Sequence, residues 1–219
     1  STEIGRQLIN DAMDIVGGAG ISMGPRNMLA HTYIATPIGI TVEGANILTR
    51  TLIIFGQGAL RAHPYAYQEI AAVEANDLAR FDRSFWSHIG HVVRNGFRAV
   101  LLSLSRGRLA LTPGDWHTAR YYKKLAWASA TFAIMADVAM GTLGGKLKFK
   151  EKLTGRFADV LSWMYLGTAV LRRYEAEGRN KEDLPFVHWS MQYALHKIQL
   201  AFENIFRNFD APVIGWLFK

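Results

Sequence analysis

A single carboxylate, Glu43, stands in the stretch TVEGANILTR at residues 41–50, between an apolar entry and an apolar run that ends in Arg50. A carboxylate so placed serves as a general base when apolar surroundings raise its basicity. Taken alone, it reads as a first-turn acid that complements a helix dipole. Upstream, residues 17–24 read GGAGISMG. Glycines let backbone N–H groups approach a phosphate. A dinucleotide fingerprint, however, needs a preceding strand and GxGxxG spacing. Here a helical pattern precedes, and Gly18, Gly20 and Gly24 are spaced GxGxxxG. By itself the run reads as a helix C-cap and a turn.

Other chemistries find less support. Neither His88/His91 nor His188/His196 has the i, i+4 spacing of a helical zinc pair, and no carboxylate cluster accompanies them. No metal site is expected from them. The chain has no cysteine and no GxSxG elbow, so a recognisable nucleophile motif is missing. KLKFKEKLTGR, residues 146–156, carries Lys146, Lys148, Lys150, Lys152 and Arg156 with Leu147, Phe149 and Leu153 interleaved. A solvated tip between two helices is the simpler reading, and an anionic surface as partner is the alternative. A basic, aromatic-rich chain could suit nucleic acid. The aromatics fall on helical apolar periods, though, where core packing explains them, and no nucleic-acid partner is expected.

The elements that must position these residues are helices. Ile4, Leu8, Ala12 and Ile15 share one helix face, and Phe85, Ile89, Val93, Phe97, Val100 and Leu104 recur at three and four. Phe157, Val160, Leu161, Met164, Tyr165, Thr168 and Leu171 repeat likewise, as do Leu195, Ile198, Phe202, Ile205 and Phe209. Glycine and proline clusters punctuate the pattern. Helices are predicted over about 2–16, 43–73, 77–105, 115–142, 150–178 and 184–208, with Asp115 as an N-cap. The last four, joined by short loops, predict an antiparallel helical bundle. Residues 125–145 approach transmembrane length but contain Asp137, and a buried bundle helix is the favoured reading. STEIGRQLINDAMD has neither the basic n-region nor the apolar h-region of a signal peptide. Residues 1–74 hold 4 Lys/Arg against 6 Asp/Glu, whereas the whole chain carries a net +7. The change of sign suggests two regions, 1–74 and 75–219.

The stretch DAMDIVGGAGISMGPRNMLAHTYIATPIGITVEGANILTR resembles the C-terminal helical domain of acyl-CoA dehydrogenases. The resemblance lies in a helix, then Gly17-Gly18-Ala19-Gly20, a linker, and Val42-Glu43-Gly44 leading to an apolar helix with Arg50. From about residue 75 onward, with ILTRTLIIFGQGALRAHPY and FWSHIGHV, the chain is similar to the extra C-terminal domain of the bacterial long-chain fatty-acid β-oxidation type. The resemblance implies an all-α fold: the C-terminal half of the family's helical domain, followed by the bundle. It also implies that the family's N-terminal helical and middle β-domains have no counterpart in this sequence. Ala45 stands where the family often has Thr, and Ala19 where it often has Asn.

The implied activity is FAD-dependent oxidation of long-chain acyl-CoA to trans-2-enoyl-CoA, with electrons passed to an electron-transfer flavoprotein. Glu43 would be the base that removes the α-proton. Gly17, Gly18, Gly20, Ala45 and Asn46 would face FAD, the glycine turn meeting the ADP half of a FAD that the family binds mainly through a neighbouring subunit. A homo-oligomer in the cytoplasm is therefore expected, with peripheral contact to the inner membrane through Lys146, Lys148, Lys150 and Lys152 as a further option. The competing reading is a non-catalytic helical assembly or membrane-docking module.

Overall fold

A computed structural model describes residues 2–42 and 44–209. The chain divides into two compact units between Thr49 and Arg50. Residues 50–74, which the charge pattern groups with the first segment, thus fall in the second unit. Among the described residues there is no strand, and the expected all-α class is observed.

The first unit starts with α1, Thr2–Val16. Gly17, at φ +66°, ends it in the left-handed conformation that a side chain disfavours. A 3₁₀ turn, Gly17–Ile21, follows. Asn27 then opens α2, Met28–Ala35, by accepting hydrogen bonds from the N–H groups of Leu29 and Ala30, both at 3.0 Å. Short α3 (Ile38–Thr41) and α4 (Asn46–Leu48) complete the unit, with α1 packed on α2 and α3.

The helix expected over 43–73 is interrupted. A π-helical stretch, Thr49–Gln57, precedes α5 (Gly58–Ala62), and a break at residues 63–65 precedes α6 (Ala66–Glu74). Pro64 accounts for the break: it offers no N–H and forces the residue before it out of helical geometry. His63 accordingly has ψ 130°.

The bundle comprises α7 (Leu78–Leu104), α8 (Ala119–Leu143), α9 (Glu151–Ala176) and α10 (Leu184–Arg207). Cross-helix pairs give its directions. Trp127 reaches Ser103 and Ile134 lies by Gly96, so α7 and α8 are antiparallel. Tyr122 meets Glu175 and Phe132 meets Phe157, so α8 and α9 are too. Trp163–Tyr193 and Gly167–Met191 pack α9 against α10. The core is built from Tyr121, Leu125, Met135, Phe157, Val160, Leu171, Met191, Ile198 and Ile205. The expected apolar stripe of α10 is buried there.

The stripe of α7 is not. Phe97 is 72% exposed and Leu104 83%, while Ser84, Asn95, Ala99 and Leu102 are the buried residues of this helix. Periodicity found an apolar face, and this unit does not cover it. The start of α8 also moves. Asp115 accepts from the N–H groups of His117 and Thr118 at 3.0 Å and from Thr118 Oγ1 at 2.9 Å, holding a turn that leads into a helix only at Ala119. By length and composition, one helical stretch among the described residues, Ala119–Phe149, could cross a membrane. Here α8 packs against α7, α9 and α10.

Candidate functional site

In the first unit the glycine turn is shaped by a residue that motif reading passed over. Asn27 donates through Nδ2 to the carbonyls of Ala19 (3.1 Å), Gly20 and Ser22 (3.0 Å). One side chain thereby clamps the turn and caps α2. Its sequence signal is an Asn directly before an apolar helix. Gly17 and Gly18 are exposed, and a Cβ on either would meet nothing within 4 Å, so their backbone stands open to a ligand. Gly20 differs. It is buried, and a Cβ there would stand 3.3 Å from the carbonyl of Met13.

Glu43 lies outside the described residues. Beside it, Gly44 has φ +76°, with Thr49 Oγ1 3.2 Å from where a Cβ would stand. Ala45 is exposed and leads into α4. The side chain of Asn46 is engaged by the start of α1: Nδ2 donates to Thr2 Oγ1 at 2.8 Å and to Glu3 Oε1 at 3.2 Å. Asn46 therefore ties the segment after Glu43 to α1.

In the second unit the structure gathers polar groups from four segments around an apolar cavity of about 740 Å³. Leu60, Ile70, Phe85, Ile89 and Met140 supply apolar wall, and Glu69, His88, Asp137 and Lys148 also line it. His63 Nε2 lies 3.1 Å from Asp137 Oδ1, both side chains being 7% exposed. His88 Nδ1 lies 2.8 Å from Glu69 Oε1. The His63 and His88 rings are 4.5 Å apart, and His91 is 5.5 Å from His63. Burial pushes the His63 imidazole below its ordinary pKa; Asp137 opposes this, and His88 and His91 add to it. His88 and His91 share one helix and so show a spacing in the sequence. His63 and Asp137, on other elements, leave no local signal of their own. His188 instead meets Tyr121 Oη at 2.9 Å, and His196 is exposed.

Lys146, Lys148, Lys150 and Lys152 are all exposed, around the 3₁₀ turn Gly144–Phe149 and the start of α9. Leu147 and Leu153 turn into the core, whereas Phe149 is 75% exposed beneath Lys148. Of the three interleaved apolar residues, one faces out.

An all-α unit of long antiparallel helices, preceded by shorter ones and a glycine turn, defines the class of the chain. Residues 60–219 match the family described as acyl-CoA dehydrogenase, C-terminal, bacterial type, and the chain belongs to that family. The matched residues include the bundle and most of the cavity wall; the glycine turn and Glu43 precede them. No solved structure matches the chain.

Proposed function

We propose that this chain is the C-terminal part of an FAD-dependent dehydrogenase of long-chain acyl-CoA, with Glu43 as the base. Membership of the acyl-CoA dehydrogenase family supports the general reaction. The observation that carries the flavin reading is the glycine turn: exposed backbone at Gly17 and Gly18, positive φ at Gly17, and an Asn27 clamp beneath it. Such a turn suits close approach of a phosphate-bearing cofactor to the main chain. Gly17 and Gly18 would hold the ADP half of FAD, and Gly20 would keep the turn packed on α1.

FAD would supply the acceptor for the hydride that leaves the substrate β-carbon. The chain's own part is proton removal. Glu43 takes the α-proton, breaking that C–H bond as the α–β double bond forms. Its sequence neighbours, Val42 and the Ile47-Leu48 pair, are apolar, and no Lys or Arg adjoins it. Burial beside an acyl chain would raise its pKa and with it its basicity. The Glu43 N–H would donate to the thioester carbonyl, stabilising the negative charge that gathers there.

In this reading electrons leave to an electron-transfer flavoprotein, the chain works in the cytoplasm as part of a homo-oligomer, and the exposed lysines hold it against an anionic membrane. A second reading, a non-catalytic assembly or docking module, draws support from the uncovered apolar face of α7. Bound flavin and dehydrogenation in the full-length protein favour the first reading and their absence the second; Glu43→Gln then tests the base. Turnover should fall by about 10³-fold with flavin absorbance and acyl-CoA binding kept. Near-normal dehydrogenation in that variant would remove Glu43 from the reaction.

A further inference from the structure

We propose that His63 caps the start of α6 as a neutral imidazole and lets go of that helix, and of one wall of the apolar cavity, as the solution turns acidic. The N–H groups of Tyr65 and Ala66 both donate to His63 Nδ1, at 3.2 and 3.0 Å. Acceptance from the second and third residues onward is the pattern of a capping side chain. Asn27 shows the same pattern at the start of α2, with Leu29 and Ala30 as donors. Pro64, lying between, has no N–H to satisfy. His63 Nδ1 therefore carries the lone pair, and the proton of the neutral ring sits on Nε2, which donates to Asp137 Oδ1 at 3.1 Å.

A second proton would have to enter at Nδ1, between two N–H groups that already point there, and the cap would be lost. The neighbours decide how strongly the ring resists. His88 and His91 of α7 stand 4.5 and 5.5 Å from it, ring to ring, and positive charge on either opposes charge on His63. The Tyr65 ring is 6.3 Å away, Glu69 of α6 is held by His88, and Arg94 of α7 lies 3.4 Å from His91. Asp137 of α8 favours a cation, but it bonds the Nε2 side, which already carries its proton in the neutral ring. With the His63 side chain 7% exposed, burial outweighs that attraction and holds the imidazole below its ordinary range. In the released state the ring is in water and takes up the proton at the ordinary histidine pKa. The contribution of the cap is thus full above about pH 6.5 and is lost as pH falls from there toward the lower pKa of the capped ring. Ala66, Glu69 and Ile70 of α6 line the cavity, so that wall loosens with the cap. The inference stands apart from the flavin reading, since it uses other residues.

The test is hydrogen–deuterium exchange of the full-length protein, with rates corrected for the intrinsic pH dependence of amide exchange. Between about pH 7.5 and about pH 5.5, protection of peptides covering α6 should fall several-fold, at most about 10-fold for one proton. Peptides from α9, a helix without histidine, should keep theirs. His63→Asn supplies an acceptor that does not titrate, so α6 should stay protected at both pH values. His63→Ala supplies none, and α6 should be weakly protected at both. Circular dichroism establishes that each variant is folded; if His63→Asn is not, His63→Ala decides alone. Protection of α6 that does not change with pH in the unaltered protein, or that falls equally in folded His63→Asn or His63→Ala, overturns the proposal.

Discussion

Phe55 stacks on Phe157 with ring centroids 4.3 Å apart and planes 7° apart, and Phe132 meets both rings edge-on. The stack fastens the π-helical stretch to α9. Arg50 adds a two-point pair to Asp159, and Thr154 Oγ1 donates to the carbonyl of Thr51. Gly155 permits this approach, because a Cβ there would stand 3.0 Å from Arg50 Nη1. Arg50, which the family resemblance marked as part of an apolar-Arg helix, here works as an anchor.

Phe55→Ala should therefore destabilise the protein by about 3–5 kcal/mol, since Phe55 is 2% exposed and its removal leaves a cavity. Urea unfolding followed by circular dichroism reads this as a lower midpoint. An unchanged midpoint would mean that the stretch is not part of the core.

Helix α7 shows what periodicity can and cannot disclose. Six residues at spacings of three and four mark one apolar face, and the helix is there. The spacing does not say what covers that face. In the second unit Phe97 is exposed, and Leu102 on the other face is 4% exposed. Phe97→Ser should change stability by no more than about 0.5 kcal/mol, as expected at an exposed position. Leu102→Ala should cost about 2–5 kcal/mol. Thermal melts of the two variants in the reverse order would return the stripe to the core.

Other helices were legible for physical reasons. Those predicted over 150–178 and 184–208 have glycine or proline punctuation at their ends and an apolar face on a neighbour, and they occur as Glu151–Ala176 and Leu184–Arg207. The break at Pro64 is masked in the apolar pattern, which runs across it, though proline chemistry forbids an uninterrupted helix there. The His63–Asp137–His88 cluster was beyond local reading. Its members come from a loop, α8 and α7, and only packing brings them together.

Asn27 offers a sharper test of the glycine turn than the glycines do. Asn27→Asp keeps an acceptor for Leu29 and Ala30 but removes the donor that holds the carbonyls of Ala19, Gly20 and Ser22. Helix content should survive, while flavin affinity should fall on the order of 10-fold, about 1.4 kcal/mol. Fluorescence titration with FAD measures this. Unchanged affinity in Asn27→Asp would show that the clamp does not position the turn for flavin.

The lysines around the turn between α8 and α9 are exposed on a surface from which Leu147 and Leu153 have withdrawn. Binding there must then be mostly electrostatic, with Phe149 as the outward apolar group. Each cation near an anionic lipid surface contributes about 1 kcal/mol, and that attraction is screened by salt. Replacing Lys146, Lys148, Lys150 and Lys152 with Gln should weaken sedimentation with phosphatidylglycerol vesicles on the order of 10³-fold at low salt. High salt should release the unaltered protein, whereas Phe149→Ala should have the smaller effect, because one side chain buries little apolar area. Equal sedimentation of the unaltered protein and the four-lysine variant would place any membrane contact elsewhere, and no sedimentation of either would end the membrane proposal for this turn.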